Sequence, residues 1–137
     1  MLPKDYLAYR LSGTFCTDMS DASGMLLMDV KNRCWSKEML NICGLEQEQL
    51  PKLYESYEVV GTLKPEVAKE LGVSENVKVI AGAGDNAAAA VGTGTVGDGR
   101  CNISLGTSGP FLFPVRSSEW MNIMHFIHLH MQMVIII

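Results

Sequence analysis

Two short segments of the chain hold residue types whose spacing suits chemistry. The first runs from Val77 through a glycine turn, Gly82-Ala83-Gly84-Asp85-Asn86, into an alanine-rich stretch, Ala87 to Val91. A strand of small and β-branched residues thus delivers an acidic side chain to the start of a helix. In α/β sheets, ligands gather at the carboxyl ends of strands, where Asp85 is expected. The flanking glycines leave room for a substrate to approach the carboxylate. A helix N-cap explains the same Asp equally well, since Asp is among the preferred caps. Asn86 adds a neutral donor and acceptor suited to a hydroxylated ligand. The small side chains from Ala87 onward are read as ordinary close packing.

The second segment is Ile103-Ser104-Leu105-Gly106-Thr107-Ser108-Gly109. Here a strand ends in two hydroxyl residues flanked by glycines, a turn able to offer backbone N–H groups and side-chain donors to an anion. No Gly-Lys-Ser/Thr follows, so it is not a Walker A loop. Most such turns between strands are plain hairpins. A carboxylate to accept a proton and a nest for phosphate, each following a strand, together suggest phosphoryl transfer to a hydroxyl.

The elements that must position these residues alternate. Pro3 opens a helix that Gly13 stops. Thr14 to Gly24 is polar and turn-like. Met25 to Val30 is an apolar run, strand or short helix. Ser36 caps a helix through Met39, Leu40 and Ile42 that Gly44 closes. Glu48 to Leu53 is a short element broken by Pro51. Val59 to Leu63 reads as a strand and Pro65 to Leu71 as a helix ended by Gly72. Val77 to Ala81, Asn102 to Leu105 and Phe111 to Val115 are further strands. The alternation places the chain in the α/β class.

Size and charge narrow the function. The 137 residues amount to roughly one domain, and a 47% hydrophobic content can bury a core. Eleven Lys and Arg against 15 Asp and Glu give a net charge of −4. No basic patch forms, which disfavours nucleic acid as a partner. Cys16, Cys34, Cys43 and Cys101 show no zinc-ligand spacing and read as reduced, mostly buried thiols in a cytoplasmic protein, with a Cys34–Cys43 disulfide as the alternative. The N-terminal MLPKDYLAYRL is not a signal peptide.

Several stretches also resemble the FGGY carbohydrate kinases: LPKDYLAYRLSG, TDMSDASG, MLLMDV, RCWSKEML, LPKLYES, EVVGTL, AGAGDNAAAAVGTG and SLGTSG. They keep the family's order from Leu2 to about Val115. The Gly-Asp-Asn-Ala-Ala form around Asp85 is most similar to the branch that phosphorylates D-xylulose. The resemblance implies part of an actin-like (ribonuclease H-like) ATPase fold with two domains, ATP and Mg²⁺ as cofactors, and a sugar as acceptor. It aligns Asp85 with the catalytic base, which also makes it a candidate contact for Mg²⁺, and Asn86 with a sugar-contacting position. Gly106, Thr107, Ser108 and Gly109 align with the loop that holds ATP phosphates. The Asp18 to Ser23 stretch matches a family motif and is assigned a structural role. Residues 1–99 correspond to the later part of the first domain and 100–116 to the opening hairpin of the second. A cytoplasmic enzyme without a membrane partner is implied, and self-association as a homodimer is an open alternative.

Three family features have no counterpart: an N-terminal Asp-x-Gly-Thr loop, a Met-His sugar-contacting segment and the adenosine-binding region. The 137-residue chain alone is therefore expected to be inactive, since positioning supplies most of the rate in this chemistry. Residues 117–137 depart from the family altogether. Met121 to Ile137 carries no charge and all three histidines of the chain. A membrane helix there falls short of about 20 apolar residues, and a metal site on His128 and His130 lacks further ligands. Shifting the reading frame permits Ala-Leu-His-Ser-Phe-Ala-His-Ala-Asp-Gly-Asn-Tyr-His, which resembles the family's continuation. A frameshift between Ser117 and Asn122 is the expectation, and the coding DNA decides it.

Overall fold

A computed structural model describes residues 1–96, 99–103, 111–114 and 133–136. The chain divides into two units, Met1–Gly84 and Asp85–Ile137. In the first, helix α1 (Pro3–Ser12) begins with proline, whose missing N–H costs nothing at that position. The Asp5 carboxylate accepts from the backbone N–H of Leu2 at 3.1 Å, closing the helix start. Gly13, at φ 85°, ends it in the left-handed region.

The segment expected to be turn-like, Thr14 to Gly24, instead contains strand β1 (Cys16–Asp18) and helix α2 (Met19–Gly24). All three strand residues are buried. β1 pairs in parallel with β4 (Lys52–Tyr54), Cys16 opposite Lys52 and Asp18 opposite Tyr54. Polar composition misleads here because Thr17 and Asp18 are buried. A parallel pair needs a long crossover, and residues 19–51 supply it. That crossover holds α2, the hairpin β2 (Met28–Asp29) and β3 (Cys34–Trp35), helix α3 (Lys37–Cys43) and a 3₁₀ turn at Gln47–Gln49. The apolar run after Met25 thus resolves as a short hairpin strand. The ends of α3 follow expectation: the Ser36 hydroxyl accepts from the Met39 N–H, and Gly44 stands at φ 65°.

β5 (Val59–Thr62) pairs antiparallel with β6 (Lys78–Ile80), with a register irregularity between Val59 and Gly61. Helix α4 (Pro65–Leu71), stopped by Gly72, connects them. Two apolar clusters result. One gathers Ala8, Cys16, Val60, Leu63, Val79 and Ala81 from α1, β1 and the β5–β6 pair. The other joins Ala22, Trp35 and Leu40 under the crossover, where the Trp35 ring N–H donates to the Pro51 carbonyl at 3.0 Å.

The second unit holds helix α5 (Asp85–Gly92) and strands β7 (Asn102–Ile103), β8 (Phe111–Pro114) and β9 (Met133–Ile136). β7 and β8 are antiparallel, and β9 runs parallel to β8. Both hairpin strands follow expectation as far as they are described; Ser104, Leu105 and Val115 lie outside the described residues. The cysteine expectation needs correction. All four are free thiols, and only Cys16 is buried. Cys34 is exposed because side chains alternate along β3 and Trp35 takes the inward position. No helix among the described residues is long and apolar enough to cross a membrane.

Leu40 is 4% exposed and packs with Trp35 and Ala22. Leu40→Ala is expected to lower unfolding free energy by about 2–5 kcal/mol through lost burial and the cavity left. Urea denaturation followed by far-UV circular dichroism measures it; a loss below about 1 kcal/mol contradicts the packing described.

Candidate functional site

The turn after β6 is held at four backbone points, the first the Ala81 N–H, which donates to the Glu58 carbonyl at 3.0 Å. Lys4 Nζ, from the first turn of α1, donates to the Ala81 carbonyl at 3.1 Å. The Gly82 N–H donates to the Ser56 carbonyl at 3.0 Å. The Gly84 N–H donates to Ser20 Oγ at 3.0 Å. Behind these contacts lies the Asp18 carboxylate, whose side chain is fully buried. One oxygen meets Lys4 Nζ at 2.9 Å. The other accepts from the Ser20 N–H at 2.9 Å, from the Ser20 hydroxyl, and from the Ser56 hydroxyl at 2.9 Å. Lys4 also pairs with buried Asp5 at 2.8 Å and with Asp21 at 3.7 Å.

The two glycines of this turn serve the protein rather than a substrate. Gly82 has φ 79°, and a Cβ there would stand 3.0 Å from Lys4 Cδ. A Cβ on Gly84 would stand 2.9 Å from an Asp21 carboxylate oxygen. The expected room for a ligand beside these glycines is therefore taken by Lys4 and Asp21.

Asp85 opens α5 in the second unit and is exposed, with Asn86 next to it half-buried. The Asp85 carboxylate accepts from the Asn86 N–H at 2.8 Å. An N-cap normally accepts from an amide two or three residues on, and no such bond forms among the described residues. Gly106, Thr107, Ser108 and Gly109 lie outside the described residues. Within those described, no group of three or more His, Cys, Asp or Glu is placed to hold a metal ion.

Comparison with known proteins now decides the family. The N-terminal domain of the FGGY family of carbohydrate kinases matches residues 1–92. The chain belongs to the FGGY carbohydrate kinases. It is 52% identical to the xylulose kinase of Escherichia coli over 111 residues, 81% of this chain and 23% of that protein. A solved xyloylose kinase from Brucella ovis superposes with a TM-score of 0.75 at 48% identity, over 80% of this chain and 22% of that one. A gluconate kinase from Lactobacillus acidophilus follows at a TM-score of 0.73 and 34% identity, over 77% of this chain and 22% of that one. The fold is thus part of the actin-like ATPase architecture. The chain spans just under a quarter of the length of the curated relatives it matches.

In this FGGY chain the Lys4–Asp18 network is the feature that residue spacing alone left unread. Its signal was present: Asp18 stands where an N-cap belongs, one residue before α2, and its carboxylate accepts from the Ser20 N–H. Burial acts most strongly on Lys4 and by itself lowers the ammonium's pKa. The hydrogen bonds and charges of Asp5 and Asp18 outweigh it and leave Lys4 raised above its ordinary 10.5. Burial likewise pushes the Asp18 carboxyl up, but the bonds from Ser20, Lys4 and Ser56 leave it below its ordinary 3.8. Asp21 is raised, by burial first and then by the neighbouring carboxylates against the pull of Lys4.

The signs fix a pH window. A raised Lys4 contributes stability that is complete below its ordinary value and lost as pH climbs through the higher folded value. A lowered Asp18 contributes stability present above its ordinary value and lost as pH falls through the lower folded one. Asp21 acts oppositely to Asp18 and blunts the acid side. Thermal midpoints should therefore be flat between about pH 5 and 9 and fall at both extremes. Lys4→Met should shrink the alkaline fall, to which the Cys16 thiol pushed up by burial also contributes, and leave two buried carboxylates uncompensated, at a cost on the order of 3–5 kcal/mol. An unchanged alkaline limb in Lys4→Met would show that Lys4 does not carry the pair.

Proposed function

We propose that this chain is a segment of an ATP-dependent sugar kinase that phosphorylates the terminal hydroxyl of D-xylulose. Residues 1–99 then belong to the first domain of such a kinase and 100–116 begin the second, in a cytoplasmic enzyme. The observation that carries the proposal is the Asp85 carboxylate, exposed at the start of α5 immediately after the anchored turn. Asp85 accepts the proton of the attacking hydroxyl, and Asn86 hydrogen-bonds the sugar beside it. The Asn86 N–H on the Asp85 carboxylate orients it. Mg²⁺ in such sites is bound by one or two carboxylates together with substrate phosphates, so a single exposed Asp85 fits as one contact. MgATP, when bound, supplies the phosphoryl group. The loop Gly106 to Gly109 is assigned to its phosphates on sequence alone. Similarity to xylulose kinases favours the ketopentose. The L. acidophilus gluconate kinase keeps a second sugar or sugar acid as the alternative, and a panel of ketoses, polyols and aldonates separates the two.

A complete enzyme for testing comes from grafting residues 2–114 in place of the matching segment of the E. coli xylulose kinase. In this graft Asp85→Asn keeps the shape and the hydrogen bond to Asn86 but removes the proton acceptor. A fall in kcat of about 10²–10⁴ is expected, with KM for the sugar moving little. Near-normal kcat would return Asp85 to a local structural role.

The 137-residue chain by itself is expected to show no sugar-stimulated ATP hydrolysis and to self-associate. Tyr6, Leu7, Val59, Ile80 and Leu71 are each about half exposed or more, and Val59 and Ile80 face each other across the β5–β6 pair. Apolar side chains left open in this number promote association. Size-exclusion chromatography and a coupled ATPase assay check both; a monodisperse monomer that hydrolyses ATP in response to xylulose contradicts them.

A further inference from the structure

We propose that Ser20 is a positioning residue for the phosphoryl-transfer step, acting by fixing the backbone of Gly84, the residue bonded to Asp85. The proposal rests on Asp85 being the base. A Ser hydroxyl has one proton to give and two lone pairs to receive. Ser20 gives its proton to the buried Asp18 carboxylate, leaving its oxygen free to accept. The Gly84 N–H fills that acceptor at 3.0 Å. The hydroxyl's direction is therefore set from behind, by a charge that is itself immobilised by Lys4 and the Ser56 hydroxyl. The Ser20–Gly84 bond joins positions 64 apart in sequence and holds the last residue of the first unit. Asp21 of α2 also packs against Gly84, its carboxylate oxygen 2.9 Å from where a Cβ there would stand. The other anchors of the turn, at Ala81 and Gly82, lie three and two residues earlier than Gly84. Among the described residues of the first unit, Ser20 is thus the side chain bonded nearest in sequence to Asp85.

Misplacement of a reacting group by about 1 Å costs on the order of 10²-fold in rate. In the grafted enzyme, Ser20→Ala is expected to lower kcat by about 10–100-fold. KM for the sugar and for ATP should each move less than about 3-fold, because binding groups are untouched. Ser20→Thr, which keeps the hydroxyl, should recover most of the rate. Amide exchange at Gly84 should quicken in Ser20→Ala and stay slow in Ser20→Thr.

The decisive measurement is the cycle with Asp85→Asn. If Ser20 acts through Asp85, Ser20→Ala should cost less than about 2-fold in the Asp85→Asn background. A full 10–100-fold loss there means that Ser20 acts elsewhere and overturns the proposal, as does a Ser20→Ala enzyme with parental kcat. If Asp85→Asn itself is silent, the assignment of the base has failed, which is a different result from parental Ser20→Ala with inactive Asp85→Asn. Thermal midpoints accompany every variant. Should Ser20→Ala not fold, Ser20→Cys keeps the size with a poorer acceptor and must show the same kcat loss and the same cycle.

Discussion

The Asp18 carboxylate is fully buried, and a charge in that position has to be met by donors from several parts of the chain at once. Lys4 comes from α1, the Ser20 N–H and hydroxyl from α2, and the Ser56 hydroxyl from the segment between β4 and β5. Losing Lys4 leaves one buried oxygen without a partner, and that penalty is larger than the net gain of an ordinary hydrogen bond. The arrangement of α1, α2 and the β1–β4 pair therefore depends on one side chain.

A buried ion pair of this kind is a poor way to gain stability. Desolvation consumes much of the attraction, and apolar residues of equal volume often do better. What the pair supplies is direction. Lys4 is held by three carboxylates and spends its remaining donor capacity on the Ala81 carbonyl. Ser20 and Ser56 each turn a proton toward Asp18, so their oxygens and backbones face the turn after β6 with defined polarity. An apolar replacement would fill the space but could neither donate to the Ala81 carbonyl nor turn the Ser20 hydroxyl so that its oxygen accepts from the Gly84 N–H.

Much of the helical framework was legible in the residue order because its signals are local. Pro3, Gly13, Ser36, Gly44, Pro65 and Gly72 each mark a helix end by a conformation or a bond that the residue type itself dictates. β5 and β6 were legible as runs of β-branched residues. β1 was not, because Cys-Thr-Asp has the composition of a loop and becomes a strand only through parallel pairing with β4, whose Lys52 lies 36 positions after Cys16. The same long-range pairing buries Asp18, so the network around it could not be read from spacing. Asp85 was found through its turn and helix, both local features. The reason for the glycines before it was misread, since the residues occupying their open sides come from α1 and α2.

The two aspartates differ in their surroundings. Asp18 is sealed from water, with one oxygen accepting three hydrogen bonds and the other met by the Lys4 ammonium alone, which suits a fixed reference point. Asp85 is exposed, and its carboxylate accepts from the neighbouring Asn86 amide. An exposed group on α5 has little to locate it within its own helix, where only Ala90 is fully buried and the side chains from Ala87 to Ala90 carry no reach. Phosphoryl transfer asks little covalent chemistry of the protein and much placement. On the role proposed for Asp85, a buried carboxylate that fixes the Ser20 hydroxyl bonded to Gly84 meets that requirement without restraining the exposed group itself.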